Sequence, residues 1–217
     1  MLEHIKDPFN ALSHLAGALF SVVALALLVT LAALYASAWH VVSFSIYGSA
    51  MVLLYTSSGL YHALRLGEQG TRVMRQLDHI MIYLLIAGTY TPLCLVPLRG
   101  PWGYGLLSAV WGLALTGMVS KVVWPQTPRW LSTGIYLLMG WLVVAAITPL
   151  WTSLPRGGLI WLGLGGLFYS GGAVIYALKR PNPWPGRLGF HGIWHLMVLA
   201  GSFCHFWTML VYVLPLG

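Results

Sequence analysis

Histidines recur in this sequence at spacings that suit metal binding. His191 and His195 are four residues apart, so on a helix they share one face with their Cβ atoms about 6 Å apart. His62 follows Ser58 at the same spacing, and Asp78 lies in the next polar segment. Three neutral imidazoles with one open position for water form the ligand set of a catalytic zinc centre. A carboxylate nearby can accept a proton, so these residue types suit hydrolytic metal chemistry.

The composition determines which elements must bring these residues together. Only 7% of the 217 residues are charged and 59% are hydrophobic, against roughly 25% and 45 to 50% in soluble domains. These proportions exclude a soluble enzyme, a disordered chain and a nucleic-acid-binding module, and indicate a membrane protein. Both cysteines, Cys94 and Cys204, lie in apolar stretches and indicate neither a disulfide framework nor a cysteine-ligated metal.

Seven apolar stretches are long enough to cross a bilayer, which takes about 20 residues of helix. They cover approximately residues 12–34, 41–64, 79–96, 104–123, 130–150, 159–178 and 190–214. The first is longer than the core of a cleavable signal peptide, so we expect it to remain as span one. Because the connections are short, the sequence predicts an all-α integral membrane protein with one seven-helix domain over residues 1–217.

The basic residues set the orientation, because Lys and Arg are retained in short cytoplasmic loops. With the N-terminus inside, nine fall on the cytoplasmic side: Lys6, Arg65, Arg72, Arg75, Lys121, Arg129, Lys179, Arg180 and Arg187. Only Arg99 and Arg156 fall outside. The asymmetry predicts a cytoplasmic N-terminus and an external C-terminus.

This topology places the end of span two and the starts of spans three and seven at one depth. We therefore predict that His62, His191 and His195 hold a metal, with zinc favoured although imidazoles also suit Cu, Fe and Ni. Asp78 and Ser58 are the candidate catalytic residues: Asp78 as orienter or proton acceptor of the bound water, Ser58 as hydrogen-bond donor. In the alternative, these side chains bond to one another and bridge the helices without metal.

The remaining histidines are expected to have other roles. His205 lies 14 residues beyond His191, about 21 Å along a helix axis, which is too far to share the ion. His79 points away from Asp78 and is expected at the interface. We expect His14 to support the site or the packing, and His40 to titrate in an outer loop.

Two further patterns concern helix packing and capping. Gly163, Gly166 and Ser170 share one face of span six, which predicts that a neighbouring helix approaches there closely. Asn10 and Ser13 stand ahead of or early in span one and are expected to cap its free N–H groups.

Several motifs resemble those of a known family when they are taken in order. They are Glu3 with Asn10 and His14, Ser58-x-x-x-His62, Leu77-Asp78-His79 followed by Ile86-Ala-Gly-Thr-Tyr-Thr-Pro92, and His191-x-x-x-His195 with His205. Together they resemble the bacterial haemolysin III family, which is related to the progestin and adiponectin receptors and more distantly to alkaline ceramidases. The resemblance spans almost the whole chain and includes the seven-helix, N-terminus-inside arrangement.

The resemblance implies that His62, His191 and His195 hold zinc, with Asp78 and Ser58 near the metal-bound water. It also implies a zinc-dependent hydrolase of lipid amide or ester bonds in the plasma membrane, with membrane lipids as partners. The alternative is a non-enzymatic sensor or regulator of membrane lipid state, or a lytic, channel-like protein, in which zinc is structural. A through-pore is disfavoured because the polar cluster is confined to the cytoplasmic half.

Overall fold

Helices make up nearly all of the regular structure in the part of the chain that is described. The computed structural model describes residues 5–184 and 188–216. Its seven long apolar helices are α1 (Pro8–Tyr35), α2 (Ala38–Ala63), α3 (Glu68–Leu95), α4 (Pro101–Val123), α5 (Arg129–Ser153), α6 (Arg156–Leu178) and α7 (Phe190–Val213). The predicted all-α, seven-helix membrane architecture is confirmed.

Consecutive helices pack against one another, and α7 also contacts α1, so the bundle closes on itself. Tyr47, Tyr55 and Tyr83 are fully buried in its core. Leucine, valine and tryptophan side chains cover much of the outer surface, as expected where the surrounding solvent is lipid. Because α7 packs between α1 and α6, residues at its start lie beside the start of α1 and the end of α2.

Some helices extend further on the cytoplasmic side than the apolar stretches. α3 begins at Glu68, well before residue 79, and α1 begins at Pro8 rather than at residue 12. The first turns of α3 are polar, so they were not counted in the apolar stretch. Apolar content shows where a helix crosses the membrane, but it does not show where the helix begins or ends. The added turns carry Arg72 and Arg75 on the cytoplasmic side.

The capping expected of Asn10 and Ser13 was wrong. Asp7 occupies the N-cap position of α1 without a side-chain cap bond. The Asn10 amide instead donates to Asp7 Oδ2 at 2.5 Å, and Ser13 Oγ donates to the Asn10 carbonyl at 3.1 Å. Pro8 has no N–H to cap and suits the first helical position, which shifts the helix start towards the N-terminus.

His40 also differs from the expectation of a loop residue in water. It lies in the first turn of α2 and is 1% exposed. Its Nδ1 pairs with Ser37 Oγ at 2.9 Å, and its Nε2 lies 3.2 Å from the Val213 carbonyl. Val213 ends a π-helical turn in α7, and its carbonyl also accepts the Leu216 N–H at 3.0 Å, so His40 ties the first turn of α2 to the end of α7.

The small residues of α6 pack through a different face from the one predicted. A Cβ added at Gly163 or Gly166 would meet nothing within 4 Å, whereas one at Gly165 would lie 2.7 Å from His205 Nε2. Gly172 is likewise close to Met197 of α7. The prediction was wrong for both glycines, because adjacent helical positions differ by about 100° and these two lie on the wrong side of the helix. Ser170 does meet a neighbouring helix, since it accepts a hydrogen bond from Trp141 of α5 at 3.0 Å.

A matched pair of substitutions tests this packing. Gly165→Ala is expected to destabilise the bundle by about 1–3 kcal/mol through overpacking against His205. Gly163→Ala adds the same methyl group to open space and is expected to be neutral or to stabilise the helix by up to about 1 kcal/mol. Thermal unfolding in detergent measures both, and equal effects would contradict the assigned face.

Candidate metal centre

Three imidazoles converge where the cytoplasmic end of α2 meets the start of α7. His191 Nε2 lies 3.3 Å from His62 Nε2 and 3.2 Å from His195 Nε2. Each ring offers one nitrogen as a possible ligand, and these three nitrogens all lie within 4.8 Å of one another. His62 and His195 are buried, and His191 is half-buried. The three side chains that the sequence grouped by topology therefore lie side by side.

The separation of the nitrogens suits a tetrahedral metal ion. Two ligands at the usual Zn–N distance of about 2.0–2.1 Å are about 3.3 Å apart in tetrahedral geometry. The two Nε2 separations given above agree with this value. The donor set could therefore hold a divalent ion and leave one position open.

Backbone pairing joins the segment before α1 to the end of α2. The Lys6 N–H donates to the Ala63 carbonyl at 3.3 Å, and the Asp7 N–H donates to the His62 carbonyl at 3.0 Å. These two bonds hold Asp7 beside His62. They explain how a residue from the N-terminal segment reaches the histidine cluster.

Asp7 contributes a contact that sequence reasoning missed. Its Oδ2 lies 3.2 Å from His62 Nδ1, on the opposite side of the ring from the cluster. The hydrogen bond with His62 lowers the pKa of the Asp7 carboxyl below its usual value, although partial burial opposes the shift. A carboxylate on the outer nitrogen fixes the tautomer that leaves Nε2 free for a metal. In the sequence, the only feature that could have drawn attention to Asp7 is that the chain has just four acidic residues.

Asp78 and Ser58 lie next to each other beside this cluster. Both are buried, and the Asp78 carboxyl interacts electrostatically with Ser58 and His62. Ser58 Oγ makes no hydrogen bond of good geometry within the described part of the chain. Asp78 does not belong to the group of converging ligand atoms, which the three histidines form.

His14 supports the cluster from α1. Its ring stacks on that of His195, with centroids 3.6 Å apart and planes 13° from parallel. Tyr55 packs against the His14 ring in a T-shaped arrangement, with the ring centroids 5.1 Å apart. Rotation of the His195 ring is therefore restricted by packing.

The other predicted residues lie apart from the cluster. His205 is buried and stacks on Tyr169 at 5.3 Å, deeper in the bundle. His79 Nδ1 lies 2.6 Å from the Arg75 carbonyl, and its Nε2 lies 3.5 Å from the Tyr176 hydroxyl. Glu3 falls outside the described residues.

Comparisons with known proteins agree with this architecture. A family profile described as "Haemolysin-III related" matches residues 2–206. The Hemolysin-3 homolog of Bacillus subtilis (strain 168) is 45% identical over 204 residues, covering 94% of this chain and 92% of the relative. Hemolysin-3 of Bacillus cereus is 41% identical over 217 residues, covering 99% and 95%. The human monocyte to macrophage differentiation factor is 24% identical over 179 residues, covering 81% and 72%.

Proposed function

The chain belongs to the haemolysin III family of multi-pass membrane proteins, and from that premise we propose that it is a zinc-dependent hydrolase of lipid amide or ester bonds. The observation that carries the proposal is the convergence of three histidine nitrogens beside a buried carboxyl and a buried hydroxyl. In bacteria a protein of this kind resides in the plasma membrane, where lipids are the available substrates.

His62, His191 and His195 would hold the zinc, and the three-nitrogen donor set with its supporting carboxylate fits this ion. Zinc, when bound, polarises a carbonyl and lowers the pKa of water within its reach. Asp7 keeps the His62 ring oriented through Nδ1. His14 limits the rotation of His195 from behind.

The chain's own groups can move the proton that hydrolysis requires. Asp78 accepts a proton from the attacking water, whose oxygen bonds to the carbonyl carbon. The C–N or C–O bond then breaks, and Asp78 returns the proton to the departing nitrogen or oxygen. Ser58 Oγ is buried beside the Asp78 carboxyl and has no well-formed hydrogen bond among the described residues, so it is available to donate to the carbonyl oxygen. The products are a carboxylic acid and an amine or alcohol.

The depth of the cluster favours a lipid substrate. The three histidines lie at the cytoplasmic ends of membrane-crossing helices, near the boundary between headgroups and hydrocarbon. Lipid amide and ester linkages lie at this boundary. A ceramide-like amide and a glycerolipid ester are therefore the bond types proposed as substrates.

Incubation with defined lipids tests the proposal. Zinc-loaded protein in neutral detergent would be mixed with ceramides, other N-acyl lipids and diacyl phospholipids, and released fatty acid would be measured by mass spectrometry. We expect product from at least one class with the wild-type protein and none above background with His191→Ala. Absence of product across the panel from fully metallated protein would contradict the hydrolase.

Asp7→Asn tests how the His62 ring is supported. Because the amide is a poorer acceptor from His62 Nδ1, zinc affinity is expected to fall about 10–100-fold. Competition with a chelating dye measures this affinity. Glu68→Gln removes an exposed carboxylate from the same membrane side and is expected to leave it unchanged, so a similar loss in both variants would contradict the assigned role of Asp7.

A further inference from the structure

A second polar site opens on the cytoplasmic side, beside the histidine cluster. It is a cavity of about 350 Å³ between α3, the end of α4 and its connection to α5, α5, α6 and the start of α7, within the usual size range of small-ligand sites. Its basic lining residues are Arg72, Arg75, His79, Lys121 and Arg129. None of the described residues that line it is an Asp or a Glu.

Lys121 is the strongest indication of an anionic ligand. Its side chain is buried with only 6% of the residue exposed, and Nζ donates to Ser132 Oγ at 2.6 Å. Within the described residues, no carboxylate lies within ion-pair distance of it. A buried ammonium without a counter-charge is costly, and a bound anion would supply that charge.

Thr133 provides a second, independent indication. Its Oγ1 is buried, lines the cavity and has no hydrogen-bond partner among the described groups. Ser132, its neighbour, presents the hydroxyl that receives the Lys121 bond. A hydroxyl donor next to a buried ammonium is a typical arrangement for binding phosphate oxygens.

The arginines complete the charge at the rim. The Arg129 guanidinium stacks over the Tyr176 ring at 4.6 Å, which holds it at the cavity wall. Arg72 and Arg75 project from the cytoplasmic extension of α3. Arginine forks match phosphate geometry and bind it through two parallel bonds.

Two carboxylates lie near this site without neutralising it. Asp78 is buried close to Tyr136 and Tyr176, which themselves line the cavity. Glu68 is exposed and borders a neighbouring shallow groove with Arg72. Neither forms an ion pair with the basic lining in the described part of the molecule, so the cavity keeps an excess of positive charge.

We propose that this basic pocket binds a phosphate group, either as the free anion or in the headgroup of an anionic phospholipid. The pocket shares a wall with the histidine cluster, because Tyr176 and Trp194 line it and lie 5.8 and 5.2 Å from the His191 ring centre. A phosphate bound here would sit beside the site proposed for hydrolysis. Phosphate binding in this pocket does not depend on bound zinc or on the proposed hydrolysis.

Binding to purified protein in neutral detergent tests the proposal by calorimetry. The probes are inorganic phosphate, dihexanoyl phosphatidic acid, and dihexanoyl phosphatidylcholine, whose choline offsets the phosphate charge. We expect saturable binding of phosphate or of phosphatidic acid, and weaker binding of phosphatidylcholine. Preference for phosphatidic acid over inorganic phosphate identifies a lipid headgroup, whereas equal or tighter binding of inorganic phosphate identifies the free anion.

Variants connect the binding to the pocket. Lys121→Met is expected to weaken binding about tenfold or more by removing a buried charged contact, and Arg129→Gln to weaken it less. Lys179→Gln removes one exposed charge from the same membrane side and should leave affinity unchanged. If Lys121→Met does not yield monodisperse protein, Arg129→Gln decides alone. No saturable binding, or equal losses in the pocket and Lys179 variants, would overturn the proposal.

Discussion

Purified His195→Ala protein is expected to contain almost no zinc, whereas the wild-type protein carries about one zinc per chain. His195 supplies the fully buried nitrogen of the cluster, and its removal leaves two ligands that lie on different helices. Two histidine ligands are too few for a zinc site, because structural sites use four protein ligands and catalytic sites use three. Metal content per mole of detergent-purified protein, measured by mass spectrometry, checks this expectation.

His79→Gln is the matched control for metal content. His79 lies on the cytoplasmic side and is half-buried, but its nitrogens contact the Arg75 carbonyl and the Tyr176 hydroxyl. It should therefore retain the wild-type metal content. In the same preparations a chelator should lower the melting temperature of the wild type and of His79→Gln but not of His195→Ala, because only a bound ligand stabilises the folded state. Full zinc occupancy in His195→Ala would contradict the assigned ligand set.

The number of helices and the grouping of the histidines could be predicted because both follow from strong physical constraints. A chain with so little charge must cross the bilayer in helices that satisfy their own backbone groups. Counting crossings then places His62, His191 and His195 at one depth. The structure shows that they also face one another.

Contacts that depend on side-chain direction could not be predicted in the same way. Asp7 reaches His62 through two backbone bonds formed by a short segment with no periodic pattern. His40 is buried because an irregular turn elsewhere in the chain offers a carbonyl. The packing face of α6 could not be predicted without knowing which glycines meet α7; Gly163 and Gly165 are about 200° apart around the helix axis, and only Gly165 meets His205.

The distribution of Lys and Arg predicted the orientation of the chain in the membrane, but it did not predict that one of these residues is buried. Lys121 was predicted only as a cytoplasmic charge, and the structure buries it. A lysine that holds its helix end at the membrane surface would be expected to extend towards water. Lys121 is buried in a cavity lining that also includes Arg75 and Arg129, and the phosphate site proposed above rests on this burial, which the positive-inside pattern does not reveal.

Asp78→Asn is expected to abolish most lipid hydrolysis while leaving zinc bound. The substitution keeps the shape of the side chain but removes the group that accepts the proton, which costs about 10²–10⁴ in rate. Because Asp78 is outside the group of converging ligand atoms, the metal content should match the wild type. Product formation under single-turnover conditions, together with zinc per chain, measures both quantities on one preparation.

This variant also separates the enzyme from a protein in which zinc only clamps α2 to α7. If zinc is only structural, the three histidines are the residues that matter for function. Asp78→Asn would then change neither the metal content nor the physiological effect on the membrane. Glu68→Gln provides the control, since it removes an exposed carboxylate from the same helix without approaching the cluster. Equal turnover in Asp78→Asn, Glu68→Gln and the wild type would exclude Asp78 as the proton acceptor, and the buried carboxyl would then serve only to bridge helices.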